Sequence, residues 1–249
     1  MSDNPLERQE TLLHHLNELR IRATRAMISL AVCTILSFIF AEDLLQFITS
    51  RSPIDLTSIT PSEPLQAYFK VSLMAGGILS MPFILYQLWQ FVSPGLEKKE
   101  RRAVFIFIPS ATLLFLAGVS FTWMVLLPAA LDFLANFLNE VVVADWTMQE
   151  YISFVTSFLF WIGVSFEMPL VFYLFGRTGF LEASALRENW RVAVVAIAVA
   201  AAIITPSVDP VTMLLTMAPM LILFILSIFL TGIGYRQFLR SGNSGPETV

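Results

Sequence analysis

Charge is scarce in this sequence. Of 249 residues, 14% are Asp, Glu, Lys or Arg, against about 25% in an ordinary soluble domain. Cysteine is nearly absent: Cys33 stands alone, which excludes an internal disulfide framework. Histidine is limited to His14 and His15, too few for a histidine metal centre. No H-E-x-x-H, G-x-S-x-G or Walker loop occurs, and no nucleophile–base pair stands out. The sequence is therefore not read as an enzyme, and no cofactor or metal is expected. A net charge of −4 with no basic domain argues against nucleic-acid binding. What remains is apolar: 56% hydrophobic residues and a mean hydropathy of +0.73. That leaves too little polar surface to coat a water-soluble globule and excludes intrinsic disorder. The class is an integral membrane protein.

The uncharged runs give its architecture. Ala26–Ala41 holds 16 residues, Val71–Leu96 holds 26 and Ala103–Leu131 holds 29. Tyr151–Phe166 holds 16 before Glu167, after which the run resumes. Val192–Val208 holds 17 and Pro210–Tyr235 holds 26. A helix needs roughly 20 apolar residues to cross about 30 Å of hydrocarbon. Isolated strands would leave backbone groups unpaired in lipid. Six transmembrane helices are expected, near 22–41, 67–92, 104–127, 149–175, 191–205 and 211–233, forming one membrane domain over residues 1–240. The fifth is short. Residues 241–249, rich in Gly, Ser and Pro, are expected to form a disordered tail. Residues 42–66 and 128–148 read as long outer loops. Pro82, Pro109, Pro128, Pro169 and Pro219 lie in or beside spans and predict kinks. Residues 1–20 contain no apolar core, which argues against a cleaved signal peptide.

Basic residues orient the bundle. Thirteen of the 15 Lys and Arg residues fall on the side that carries both termini, leaving Arg51 and Lys70 opposite. The positive-inside rule puts both ends in the cytoplasm. Trp89, Trp146, Trp190, Tyr151 and Tyr235 lie near span ends, as interfacial anchors do.

Three places can carry chemistry. Glu167 interrupts an apolar span in Val-Ser-Phe-Glu-Met-Pro-Leu. A carboxylate there costs about 2.5–3.5 kcal/mol on insertion scales, so it faces protein or water, or stays protonated. Ser165 and the carbonyls freed by Pro169 are its local partners. It either receives a polar group of a partner or bonds a neighbouring helix. Second, Leu12, Leu16 and Leu19 form one face of an N-terminal amphipathic helix, while His15, Glu18 and Arg22 share another. Glu18 either pairs with Arg22 or presents its carboxylate to a cytoplasmic ligand. Third, the first inner loop sets Glu100 among Lys98, Lys99, Arg101 and Arg102, behind a Pro94-Gly95 turn.

These motifs resemble a known family. His15-Leu-Asn-Glu18-Leu-Arg20 is similar to the opening of TatC, the six-span receptor subunit of the twin-arginine protein translocase. Phe91-x-x-Pro94-Gly-Leu-x-x-x-Glu100-Arg resembles its first cytoplasmic loop, and Phe166-Glu167-x-Pro169-Leu its fourth-span motif. Ser62-x-Pro64 resembles its first outer loop, and Thr205-Pro-Ser-x-Asp209-Pro its last. The likeness runs in order over roughly residues 12–235. It implies a kinked, cupped all-α bundle in the bacterial cytoplasmic (inner) membrane. That bundle would bind the twin-arginine signal peptides of folded cargo and work with single-span TatA and TatB partners, as a homo-oligomer within the complex. Signal contact is implied at Glu18, Glu100, Phe91, Arg20 and Pro94. Intramembrane partner contact is implied at Glu167 and Pro169. The guanidinium fork matches a carboxylate bidentately, so paired acids suit an arginine pair. Two positions depart from the family pattern: Met213 stands where Gln is frequent, and Ile225 where many members carry Glu. The competing reading is a proton-coupled small-solute carrier using Glu167.

Overall fold

In hydrocarbon each backbone N–H and C=O has to be satisfied within its own segment, so apolar runs become helices. The computed structural model describes residues 5–92, 104–137, 145–205 and 209–242. Its helices are α1 (Pro5–Ser37), α2 (Ala41–Thr49), α3 (Glu63–Val92), α4 (Val104–Phe121), α5 (Leu127–Asn136), α6 (Met148–Ser165), α7 (Met168–Arg177), α8 (Ala183–Glu188), α9 (Trp190–Ile204) and α10 (Pro210–Gly242). Five helical stretches are long and apolar enough to cross a membrane: Leu16–Thr49, Glu63–Phe91, Phe107–Asn136, Met148–Arg177 and Pro210–Arg240. The remaining predicted span, the fifth, corresponds to α9. At 15 residues it reaches roughly 22 Å, short of the hydrocarbon thickness as its sequence suggests.

Two sequence expectations are corrected. Residues 42–66 are not one loop: a 3₁₀ turn at Phe38–Phe40 leads into α2. Glu42 and Asp43 end the uncharged run, yet acids in a first turn favour a helix start. The face carrying Ala41 and Ile48 is buried. Residues 128–148 are not one loop either, because helix persists to Asn136. Pro128 lacks an N–H and its ring crowds the preceding turn. The chain answers with a π-helical turn at Thr122–Leu126, and Pro128 falls in the first turn of α5. The all-α architecture holds, with one small addition: a two-residue parallel ladder joins β1 (Leu56–Thr57) to β2 (Trp146–Thr147), pairing Leu56 with Trp146 and Thr57 with Thr147. Of the predicted tail at residues 241–249, Ser241 and Gly242 close α10, and residues 243–249 lie outside the described residues.

The chain divides into two compact units. The first comprises Met1–Phe40 and Ser72–Thr112, the second Ala41–Val71 and Leu113–Val249. Within the first, α1 and α3 approach backbone to backbone at Gly76: a Cβ there would lie 2.6 Å from the Thr34 Cα. Small residues allow such contact between membrane helices. Trp89, near the end of α3, is buried against the protein, its ring 4.0 Å from that of Phe107.

In the second unit, α4 and α6 share a core of Phe115, Val155, Phe158 and Ile162. Gly118 makes room for the Phe166 ring, and Gly163 for Phe115. Between α7 and α10 the approach is as close. A Cβ on Gly176 would overlap the Thr231 carbonyl oxygen, and one on Gly234 would sit 2.5 Å from that of Tyr173. Thr231 Oγ1 donates across this seam to the Phe172 carbonyl at 3.2 Å. Along α10 the residues Thr212, Thr216, Ser227 and Thr231 are fully buried. The last three hydroxyls donate to carbonyls one turn back, which keeps them satisfied without water. Beyond α7, Tyr235 and then Ser184 donate to Glu182, holding this exposed carboxyl below the usual carboxylate range.

The outward faces of the helices are apolar. Met27, Ile35, Ile39, Leu113 and Ile222 are each about two-thirds exposed or more. A soluble monomer does not expose so much apolar surface, whereas hydrocarbon accepts it without cost.

Candidate functional site

Glu18 lies on α1, where the chain enters its first apolar stretch. It is half-buried and already holds a guanidinium. Arg22, one helical turn on, donates from Nε to Glu18 Oε1 at 3.0 Å and from NH2 to the same oxygen. The i,i+4 spacing with Glu on the N-terminal side is the favourable order. Arg22 also reaches α3: NH1 donates to Gln90 Oε1 at 2.5 Å, and Gln90 Nε2 donates to the Tyr86 hydroxyl. Glu18, Arg22, Gln90 and Tyr86 thus form one polar chain within the first unit. Phe91 follows Gln90 in the last turn of α3 and is half-buried. Arg20 is exposed, and its carbonyl accepts from the Thr24 hydroxyl at 2.8 Å. Pro94 and Glu100 lie outside the described residues.

Sequence reasoning misses Gln90 and Tyr86, because counting charges passes over neutral polar residues inside an uncharged run. Their i,i+4 spacing is the available signal.

Glu167 occupies the break between α6 and α7. The Phe166 N–H donates to the Ile162 and Gly163 carbonyls at 3.1 and 3.2 Å, and that of Glu167 to Val164 at 3.0 Å. The turn tightens, then α7 begins with the Glu167 carbonyl accepting from Leu170 and Val171. Pro169 sits in the first turn of α7, where a missing N–H costs nothing. The Glu167 side chain is 6% exposed, and its Oε1 finds no hydrogen-bond partner among the described residues. Ser165 is not its partner: that hydroxyl donates to the Trp161 carbonyl at 2.8 Å. A buried, partly unsatisfied carboxyl in a membrane span carries a desolvation cost and is a ready acceptor for a group supplied from elsewhere.

The outer residues have structural duties. Ser62 Oγ accepts from Gln66 Nε2 at 3.3 Å, and Pro64 lies in the first turn of α3. At the start of α3, Glu63 closes a turn on Thr60: the Thr60 N–H and hydroxyl donate to Glu63 Oε1 at 3.1 and 3.2 Å, and the Glu63 N–H donates to the Thr60 carbonyl at 3.1 Å. Asp209 caps α10, its Oδ1 accepting from the Thr212 N–H at 2.7 Å, with Pro210 following at the first helical position. Of the departing positions, Ile225 is 66% exposed and Met213 is half-buried.

Comparison with known proteins gives one result throughout. Residues 14–219 match the model of the family "TatC: Sec-independent protein translocase protein (TatC)". The chloroplast protein TATC of Arabidopsis thaliana is 35% identical over 224 residues, 89% of this chain and 66% of that protein. This chain therefore spans just under two thirds of the plant relative. The TatC proteins of Deinococcus radiodurans and Synechocystis are 34% and 31% identical, over 88% and 96% of this chain and 85% and 92% of their own lengths. A crystal structure of a twin-arginine translocase receptor, TatC, superposes with a TM-score of 0.81 at 33% identity, covering 88% of this chain and 99% of that one.

Proposed function

Because the chain belongs to the TatC family of multi-pass subunits of the Sec-independent, twin-arginine protein translocase, we propose that it is the subunit that receives twin-arginine signal peptides at the cytoplasmic face. The membrane is the bacterial inner membrane, with both termini in the cytoplasm. The observation that carries this reading is the occupancy of Glu18 by a guanidinium. The polar chain that joins α1 to α3 already solves the chemistry of arginine, with a carboxylate for charge and an amide oxygen and phenol behind it. Glu18 takes one signal arginine and Glu100 the other. Phe91, Arg20 and Pro94 shape the surface around them. Glu167 and Pro169 serve a deeper contact, with the signal's apolar segment or with polar groups of TatA- and TatB-type single-span partners.

On this reading, binding is an exchange. A signal arginine replaces Arg22 on Glu18, and Arg22 keeps its bond to Gln90. The side chains of the internal pair are 16% and 23% exposed, and i,i+4 helix pairs contribute about 0.3–0.5 kcal/mol, low enough for a peptide to displace. Arg22→Gln is therefore expected to tighten binding of a fluorescent twin-arginine peptide about twofold. Arg25→Gln, which removes the same charge from an exposed position three residues on, should change it little. Equal effects of the two would attribute the gain to net charge.

The direct test is photo-crosslinking. A probe beside the arginine pair of a signal peptide should label this chain in membranes. Replacing both signal arginines by alanine should abolish the label. Undiminished labelling by the alanine peptide would overturn the proposal.

A further inference from the structure

At the start of α6 the second unit holds a cavity of about 390 Å³. Leu131 and Leu134 of α5 and Phe154 of α6 supply an apolar wall, and Trp146 supplies an aromatic rim. The Trp146 ring stacks on that of Tyr151 at 6.3 Å, and the Tyr151 hydroxyl is committed to the Ile48 carbonyl at 2.8 Å. The polar lining is Gln149, Glu150 and Ser153. Ser153 Oγ donates to the Gln149 carbonyl at 2.5 Å and accepts from the Lys70 ammonium. No other bond uses Lys70 among the described residues, and an ammonium has three donors. Glu150 is exposed; its N–H is capped by Thr147, while its carboxylate takes no hydrogen bond among the described residues.

The geometry points to a binding site for one phospholipid with an ethanolamine headgroup. Both charges of that zwitterion find an opposite. Lys70, steadied by Ser153, faces the phosphate, and Glu150 faces the ammonium. Glu150 and Ser153 are i,i+3 neighbours on α6, about 5–6 Å apart at Cβ, a separation on the scale of the two-carbon link between phosphate and ammonium. Leu131, Leu134 and Phe154 receive the upper part of an acyl chain. The depth is right, since the cavity lies where α5 ends and α6 begins, at the level where Trp and Tyr favour the membrane interface. A glycerol headgroup keeps the phosphate for Lys70 but offers Glu150 only neutral hydroxyls and no cation, so the charge-assisted bond is lost. A choline headgroup has no N–H to donate to Glu150.

The test is native mass spectrometry of the full-length protein, delipidated in detergent and titrated separately with phosphatidylethanolamine, phosphatidylglycerol and phosphatidylcholine. Wild type should retain the ethanolamine lipid about tenfold better than either other lipid. Lys70→Gln and Glu150→Gln should each remove most of that preference, as loss of a charge-assisted hydrogen bond would. Leu134→Trp fills the apolar wall without touching a charge and should displace the lipid too. That variant keeps the test open if Lys70→Gln does not yield folded protein. Equal retention of the three lipids by wild type would overturn the site. So would a glycerol-lipid preference that depends on Lys70 alone, or an ethanolamine preference that survives both charge changes.

Discussion

Glu18→Lys is expected to lower crosslinking between this chain and a twin-arginine signal by at least about tenfold. The substitution removes an acceptor and places an ammonium against Arg22, whose Nε and NH2 bonds end on the lost oxygen. Two like charges then occupy the position an incoming guanidinium must enter. Hydrogen bonds to charged groups contribute about 1.5–3 kcal/mol each, and about 1.4 kcal/mol is a factor of ten. Glu18→Gln should fall between wild type and Lys, since an amide oxygen still accepts but carries no charge. Glu100→Lys should act in the same direction, and the two reversals together should leave no specific label. The readout is crosslink yield at equal protein in membranes. Wild-type yield from both reversals would remove these glutamates from the site.

Gly176→Val and Gly234→Val are expected to cost the most stability, about 3 kcal/mol or more apiece. The added atoms would meet backbone, overlapping the Thr231 oxygen in one case and lying 2.5 Å from that of Tyr173 in the other. Backbone does not move aside as a flexible side chain does, so α7 and α10 would have to part. Their separation would also break the bond from Thr231 to Phe172 and that from the Tyr173 hydroxyl to Gln237 at 3.0 Å. Gly232→Ala is the control: its Cβ would lie 3.6 Å from the Ala183 Cβ, an ordinary contact. Thermal unfolding in detergent should separate the first two from the third by many degrees. A Gly176→Val protein as stable as Gly232→Ala would mean that the seam tolerates expansion.

The helices are legible in the sequence because one force dominates them. Apolar runs of 16–29 residues have a single low-energy form in lipid, and even the short α9 emerges from counting. Helix ends are not legible by the same count. Glu42 and Asp43 interrupt hydrophobicity without interrupting hydrogen bonds, and Pro128 reads as a terminator although a π-helical turn absorbs it. The ladder between Leu56 and Trp146 joins residues far apart in the chain, which no local periodicity encodes.

At the candidate site, Glu18 with Arg22 is legible as an i,i+4 pair, and the pair is what the structure holds. The contact of Arg22 with Gln90 is not, since it depends on how α1 packs on α3. Ser165 is a reasonable neighbour for Glu167 by number, but its hydroxyl finds the Trp161 carbonyl one turn back. Ile225 in place of Glu suggests a loss of interior polarity. It lies instead on the exposed side of α10, while the buried stripe keeps Thr212, Thr216, Ser227 and Thr231.

The π-helical turn at Thr122–Leu126 also governs the helix beyond it. One turn there holds a residue more than an α-helix would, and each residue of an α-helix advances the face by about 100°. Leu127, Ala130 and Leu131 are buried because of that phase offset. Removing a single residue from the turn would regularise the hydrogen bonds and rotate this trio away from its packing. A local irregularity is thus the element that aims the rest of the span.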